Sequence, residues 1–325
     1  MTGSEQHEVV IIGGGPAGYT AALYSARAGL SPVCVEGWDS GGQISRTSRI
    51  ENFPGQPGIS GSELSTAIRE QAVSFGAQMI MGDVTGVDLG GRPFTVEVDD
   101  RKISAQAVII ATGSRPRRLD VPGEDEWEGR GVAYCAICDG AFFAGKEVVI
   151  VGGGDAAVEE VLSLGKIASK VTLVHRRNEL RASVHSQQAL AVSGVEPLTP
   201  YVVEELVGSD DVGLTGLKLR HLEDGTTRYL PADGVFIAVG QEPASALFSA
   251  WLDTDERGFI KTTGVTTATR VPGVFAAGDV ADPRYRQAVT AAATGCAAAI
   301  DVERWLLGAR TAAGMRAAGE ALVTR

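Results

Sequence analysis

Val9-Val10-Ile11-Ile12-Gly13-Gly14-Gly15 recurs 139 residues later as Val148-Val149-Ile150-Val151-Gly152-Gly153-Gly154. Each copy is a short β-branched run ending in glycines, the pattern of a buried parallel strand that enters a tight turn. A helical segment follows each copy, at 17–28 and 156–167, and then a second strand, at 32–36 and 170–175. A further echo closes each unit: Val108-Ile109-Ile110-Ala111-Thr112-Gly113 against Val235-Phe236-Ile237-Ala238-Val239-Gly240. The chain therefore reads as α/β, with two Rossmann-like, three-layer dinucleotide-binding domains.

One domain is inserted in the other. Val274-Phe275-Ala276-Ala277-Gly278-Asp279 is another strand ending in glycine, and 286–307 is an Ala-rich helical stretch with no counterpart in the second copy. Both are expected to complete the first domain. The expected division is 1–116 with 245–325 for the first domain and 117–244 for the second, with prolines marking the crossings. The tail after Gly308 is expected to be frayed or peripheral.

Composition sets the outer limits. The 325 residues, 44 % of them hydrophobic, are enough for two domains with cores of their own. The 29 basic against 40 acidic residues leave a net charge of −11, which argues against a nucleic-acid surface. No apolar run approaches the ~18–20 residues of a membrane span. Residues 1–8 carry Glu5 and Glu8 but no Lys or Arg, so no secretory n-region is expected and the chain reads as cytoplasmic.

The two glycine turns carry opposite charge logic. Gly13-x-Gly15-x-x-Gly18, with Pro16 and Ala17 opening the helix, is the dinucleotide fingerprint: a turn, a close backbone approach to a pyrophosphate, and tight helix–strand packing. Glu36, at the end of the next strand, can accept a hydrogen bond from a ribose hydroxyl. The second copy reads Gly152-x-Gly154-x-x-Ala157, and at the position equivalent to Glu36 it has His175-Arg176-Arg177, with Arg181 beyond. Guanidinium groups there suit a 2′-phosphate. The second site thus reads as built for NADP(H), and the first for an unphosphorylated ribose such as that of FAD.

Cys135-Ala136-Ile137-Cys138-Asp139-Gly140 lies in the second domain, just before its first strand. A zinc site would need two further ligands. Cys34 and Cys296 are single residues in apolar or Ala-rich surroundings, and His7, His175, His185 and His221 have no metal spacing, so no metal is expected. Cys34 and Cys296 are expected to be buried packing residues. The C-x-x-C can close a small disulfide that interconverts readily with its dithiol. Asp139 is placed to hand a proton to a leaving thiolate; the plainer reading is a turn residue before Gly140.

Taken in order, these pieces resemble the bacterial low-molecular-weight thioredoxin reductases, which are FAD- and NADPH-dependent pyridine nucleotide-disulfide oxidoreductases. The resemblance covers about 7–308 through the glycine fingerprint, Gly41-Gly42-Gln43, Glu51-Asn52-Phe53-Pro54-Gly55, Ala111-Thr112-Gly113, the C-x-x-C-D, Gly152-Gly153-Gly154-Asp155, His175-Arg176-Arg177, Gly278-Asp279-Val280 and Arg286-Gln287-Ala288-Val289. It implies FAD in the first domain, NADPH in the second, a homodimer, and thioredoxin as the protein substrate. It implies FAD contacts from the fingerprint and from Glu36, Gly41, Gly42, Gln43, Asn52, Val84, Ala111, Thr112, Gly113, Gly278, Asp279, Arg286, Gln287 and Ala288. It implies NADPH contacts from Gly152, Gly154, Asp155, Ala156, His175, Arg176, Arg177, Arg181, Val239 and Gly240. By the same resemblance Cys138 lies against the flavin, Cys135 attacks the partner disulfide and Asp139 is the acid/base.

This chain departs from the family at Ala156, where Ser is frequent, at Pro243-Ala244-Ser245 in place of Pro-Asn-Thr, and at Ile137 in place of Thr. Other readings stay open: a flavin-dependent dithiol oxidase, or a reductase of a small-molecule disulfide. The arginines count against the oxidase. A ferredoxin–NADP reductase of this fold would lack the cysteine pair, and a redox-sensing binding protein would not need two intact nucleotide sites beside a dithiol.

Overall fold

A computed structural model describes residues 5–38 and 40–323, with backbone only at 5 and 312–323. The chain forms two compact units, Met1–Arg115 with Glu242–Arg325, and Pro116–Gln241. The first unit opens with β1 (Glu5–Ile12), α1 (Pro16–Arg27), β2 (Pro32–Val35), α2 (Gly61–Ser74), β3 (Gln78–Ile80), β4 (Val84–Asp88), β5 (Phe94–Val98) and β6 (Arg101–Ile110). Strand β7 (Ser114–Pro116) leads out. The second unit comprises β8 (Val132–Ala133), α3 (Ala136–Asp139), β9 (Glu147–Gly152), α4 (Asp155–Leu164), β10 (Lys170–Val174), α5 (Val184–Ser193), β11 (Tyr201–Ser209), β12 (Gly213–His221), β13 (Thr227–Pro231) and β14 (Gly234–Ala238). Strand β15 (Gln241–Pro243) leads back and pairs with β7; β16 (Val274–Ala276) and α6 (Ala288–Val323) complete the first unit.

In the first unit the sheet runs β3-β2-β1-β6-β5-β4, with β16 also on β6. The parallel part is buried on both faces, which is why β1 and β6 read as continuous apolar runs. Val9 and Ile11 face a core shared with α1 and α6, whereas Val10 and Ile12 face Phe94, Val96, Phe248 and Leu252. Each of these fully buried side chains contributes ~1.5–3 kcal/mol. Helix α2 starts at a capping box: Ser60 Oγ accepts from Glu63 N, and the Glu63 carboxylate accepts from Ser60 N.

The second unit repeats the plan with a parallel sheet β10-β9-β14-β8, covered on one face by α4 and on the other by the antiparallel sheet β11-β12-β13. Strand β8 precedes the C-x-x-C, so the cysteine pair follows this unit's first strand instead of leading into it. The two residues of β8 are too short a run to stand out in a sequence. Helix α6 does not fray at Gly308 but continues to Val323, in keeping with the high helix propensity of its alanines. None of the helices among the described residues is long and apolar enough to cross a membrane.

Candidate functional sites

Strand register decides which residues meet. Ile12 pairs with both Val35 and Ile110, and Ile110 pairs with Ala276. The segments that follow these residues therefore leave the sheet along one edge: the glycine turn 13–15, Glu36, Ala111-Thr112-Gly113, and Ala277-Gly278-Asp279. This is the carboxyl edge of a parallel sheet, where α/β proteins place their ligands. Gly13 N donates to Val35 O at 2.8 Å and Ala277 N to Ile110 O at 2.9 Å, which pins two of these segments to the ends of neighbouring strands.

The glycines of the turn are not equivalent. Gly13 has φ +122°, and a Cβ there would run into the Ala111 carbonyl; at Gly14 it would stand 2.9 Å from Glu36 Cβ; at Gly18 it would overlap the Gly13 carbonyl. At Gly15 the nearest atom would be Gly42 Cα, 3.8 Å away. Packing therefore demands three of the four, while Gly15 leaves an open cradle at the N-terminus of α1. Gly41 N donates to Gly14 O at 2.8 Å, holding the Gly41-Gly42-Gln43 turn beside that cradle.

Other segments converge on the same unit's edge. Asn52 Nδ2 donates to Gln287 Oε1 at 3.3 Å, bringing together two residues 235 apart in the chain. Arg286 has φ +49°, and the Asp282 carboxylate holds this turn by accepting from the backbone N–H groups of Arg284, Tyr285 and Arg286. Helix α6 starts immediately after it, at Ala288. A Cβ at Gly278 would stand 2.8 Å from Ala17 Cβ, so Gly278 packs on the first turn of α1. Burial, followed by the nearby Asp282 carboxylate, pushes the Asp279 carboxyl up to about 6. Thr112 Oγ1 donates to Ala244 O at 2.7 Å. Val84 opens β4 and pairs with Val98, next to Asp83, whose carboxylate accepts from Trp38 N.

Glu36 is buried and already engaged. Tyr19 Oη donates to its Oε1 at 2.7 Å, and Arg69 donates from Nε to Oε1 at 2.6 Å and from Nη2 to Oε2 at 2.9 Å. Neither Tyr19 nor Arg69 is recognisable from sequence as part of a site, because the helix spacing of α2 does not reveal what its side chains will meet. Cys34, directly below, is fully buried and donates to Gly13 O at 3.5 Å; burial pushes its thiol up. Cys296 is only half-buried, contrary to the packing role expected for it; it lies one residue round the helix from Gly295, the position that faces α1.

In the second unit Val151 pairs with both Val174 and Ile237, so Gly152-Gly153-Gly154, His175 and Val239 share an edge. They border a cleft of about 350 Å³ whose lining includes Gly152, Gly153, His175, Arg176, Arg181, Val239, Arg117 and Arg118. Arg177, Gly154, Asp155, Ala156 and Gly240 are not in that lining. Arg117 and Arg118 are additions to the sequence reading; as a basic doublet beside a predicted crossing they carried a weak signal. Arg118 is bound by Asp125 at 2.7 Å and Glu128 at 2.8 Å. Arg117, Arg176 and Arg181 form no ion pair among the described residues, so their positive charge is uncompensated and favours an anion.

His175 is buried beneath the glycine turn: a Cβ at Gly153 would collide with its ring. Burial lowers its pKa, which favours the neutral ring. The Asp155 carboxylate is taken up by the start of α5, accepting from Ser183 N at 2.8 Å and Ser186 Oγ at 2.6 Å. Gly154 resembles Gly15, since a Cβ there would meet nothing within 4 Å.

Cys135 and Cys138 form a disulfide with Cα atoms 5.3 Å apart. Cys135 is the N-cap of the single-turn helix α3, and its sulfur accepts from Cys138 N at 3.2 Å. Asp139 N closes the turn by donating to Cys135 O at 3.0 Å. Burial alone pushes the Asp139 carboxyl up to about 6. Ile137 and Phe142, 70 % and 43 % exposed, flank the disulfide with apolar surface.

Residues 7–295 match the sequence profile of the pyridine nucleotide-disulphide oxidoreductases. The chain is 47 % identical to a thioredoxin reductase of Mycolicibacterium smegmatis, over 94 % of this chain and 98 % of that protein. It is 49 % identical to one of Streptomyces clavuligerus, over 93 % and 95 % respectively. The solved structure of a thioredoxin reductase from Giardia duodenalis superposes with a TM-score of 0.89 at 42 % identity, over 94 % of this chain and 100 % of that one. With a disulfide of redox spacing in a unit that repeats the dinucleotide fold of its neighbour, the chain belongs to the pyridine nucleotide-disulphide oxidoreductases and, among them, to the thioredoxin reductases.

Proposed function

We propose that this oxidoreductase carries electrons from NADPH, held in the arginine-lined cleft of the second unit, through FAD held by the first, to the Cys135–Cys138 disulfide and on to thioredoxin. The observation that carries the reading is that one inserted unit holds both the arginine cleft and an accessible disulfide. The residues fit both groups. In the first unit, the open cradle at Gly15 suits a pyrophosphate, and Glu36 supplies a hydroxyl acceptor. In the second, Arg117, Arg176 and Arg181 supply charge for a phosphorylated ribose, with a second open cradle at Gly154. Flavin, when bound, supplies the two-electron relay between a hydride donor and a disulfide.

The chain's own residues do the thiol chemistry. Two electrons break the Cys135–Cys138 bond, and the two sulfurs take up protons according to their acidity. Asp139, with its carboxyl near 6, is poised to give a proton to one thiolate and take it back in the reverse step. The Cys135 thiolate, supported by the Cys138 N–H, attacks the partner's disulfide, forming a mixed disulfide and expelling a partner thiolate. Cys138 then attacks the Cys135 sulfur, releases the second partner thiolate and closes the original bond. The exposed Ile137 and Phe142 suit a protein partner better than a small polar disulfide.

The test is steady-state NADPH oxidation with thioredoxin from the same source, with and without oxygen. Turnover that requires thioredoxin and ignores oxygen supports the reading; turnover that requires oxygen alone supports the dithiol oxidase. The proposal extends to a cytoplasmic homodimer, as the resemblance implies, and sedimentation of the full chain tests the dimer.

A further inference from the structure

The Glu36 side chain is 1 % exposed and held by two helices at once. Tyr19, one residue past Gly18 on α1, gives its hydroxyl to Oε1; Arg69, from α2, straddles the carboxylate with Nε on Oε1 and Nη2 on Oε2. A carboxylate offers about four lone-pair positions. Three of them are filled from within the protein: both on Oε1, and one on Oε2.

We propose that Arg69 and Tyr19 are positioning residues of the first dinucleotide site, leaving Glu36 a single acceptor position on Oε2, so that it takes one hydroxyl of the ligand's ribose and not both. This rests on the reading that the first unit holds FAD. The guanidinium fork fixes the plane of the carboxylate, because two parallel N–H···O bonds permit only one orientation. The Tyr19 hydroxyl fills the Oε1 position that would otherwise complete a two-point grip on a vicinal diol. Lysine at 69 could keep the charge but not the fork.

The experiment uses the full chain, freed of flavin and titrated by flavin fluorescence with FAD, with FMN, and with FAD analogues lacking either the 2′- or the 3′-hydroxyl of the adenosine. In the unsubstituted chain, one deoxy analogue is expected to bind about tenfold more weakly than FAD and the other within about twofold. Arg69→Lys is expected to weaken FAD about tenfold and leave FMN, which has no adenosine, unchanged. Tyr19→Phe serves as a second variant with the ring retained, and is expected to weaken FAD by a smaller factor, again with FMN unchanged. Equal losses with both deoxy analogues overturn the single-position count. Loss of FMN in parallel with FAD, or unchanged FAD binding in both variants, overturns the positioning role. Failure of the unsubstituted chain to take up FAD would overturn the inference together with the reading beneath it, and is told apart because no substitution is needed to see it.

Discussion

Asp139→Asn is expected to make the protein more stable at neutral pH and a poorer catalyst. Burial moves the Asp139 carboxyl from 3.8 to about 6, a displacement of ~2 pH units or ~3 kcal/mol between its protonation states. Because the folded pKa lies above the unfolded one, the penalty is absent below about pH 4. It builds as pH rises to about 6 and is fully present at pH 7. Asparagine keeps the shape and never ionises, so the variant should gain ~1–3 kcal/mol at pH 7, the lower end allowing for the side chain's partial contact with water, and nothing at pH 4. The same displacement sets the catalytic cost. At pH 7 a carboxyl near 6 is ~10 % protonated, against less than ~0.1 % for one at 3.8, so over a hundredfold more of the acid form is at hand. Thiol–disulfide steps should slow by ~10²–10⁴ in the variant. The assay pairs urea unfolding at pH 4 and pH 7 with thioredoxin turnover from pH 5 to 9. Near-normal turnover that still shows an inflection near pH 6 would return Asp139 to the status of a turn residue, and unchanged stability at pH 7 would refute the burial argument.

Among the arginines, Arg176→Ala and Arg181→Ala should each raise the KM for NADPH about tenfold or more with little change for NADH, whereas Arg177→Ala, outside the cleft lining, should do so less; equal effects of all three in NADPH/NADH ratio measurements would contradict the cleft geometry. Cys135→Ser and Cys138→Ser should each abolish thioredoxin reduction while anaerobic bleaching of the flavin by NADPH persists; loss of bleaching would reverse the assigned order of steps. Gly15→Ala and Gly154→Ala should raise the unfolding midpoint slightly and weaken FAD and NADPH respectively, while Gly13→Ala and Gly153→Ala should destabilise the fold itself, since their Cβ atoms would strike Ala111 and His175; thermal melts of the four variants separate the two classes.

The fold was legible where chemistry is local and repeated. Strands β1 and β9, and the insertion of one unit in the other, follow from apolar runs that must be buried on both faces, and the runs differ from the observed strands only at their ends: Glu36 and His175 fall just past β2 and β10. The antiparallel strands β4, β5 and β11–β13 were not legible, because half-buried strands alternate with polar residues and turns and leave no continuous run. The same limit holds in the candidate sites. Glu36, the glycines and the arginines after β10 stand out because each sits at a fixed offset from a strand, and the cysteine pair stands out by its own spacing. Arg69 and Tyr19 do not, since their role comes from the side chain they meet 33 and 17 residues away. Arg117 falls between these cases: part of a basic doublet visible in sequence, whose place in the cleft is set by the turn after β14, where Gly240 O accepts from Arg117 N.

The repeated glycine turn shows how much of a nucleotide fingerprint belongs to the fold. Gly13 and Gly152 are both required, because a Cβ would meet the backbone at the end of the neighbouring strand, at Ala111 and Ala238. Gly14 and Gly153 are both required by the residue after the second strand, Glu36 in one unit and His175 in the other. The residue that follows the second strand thus packs on the middle glycine in each copy, so the turn accommodates an acid in one unit and an imidazole in the other only with a glycine there. The last position has relaxed: Gly18 lies against Gly13 O, whereas Ala157 fits in the second unit with its methyl turned toward Gly152. Of the glycines in the two turns, Gly15 and Gly154 are the ones where nothing among the described residues would exclude a side chain. A glycine kept at both positions without a packing reason costs ~1 kcal/mol in chain entropy relative to alanine. Had the turns served only to join strand to helix, alanine would be the more stable choice at both. The space left open is the part of the motif that answers to a ligand, and its presence in both units is the strongest structural argument that neither nucleotide site is vestigial.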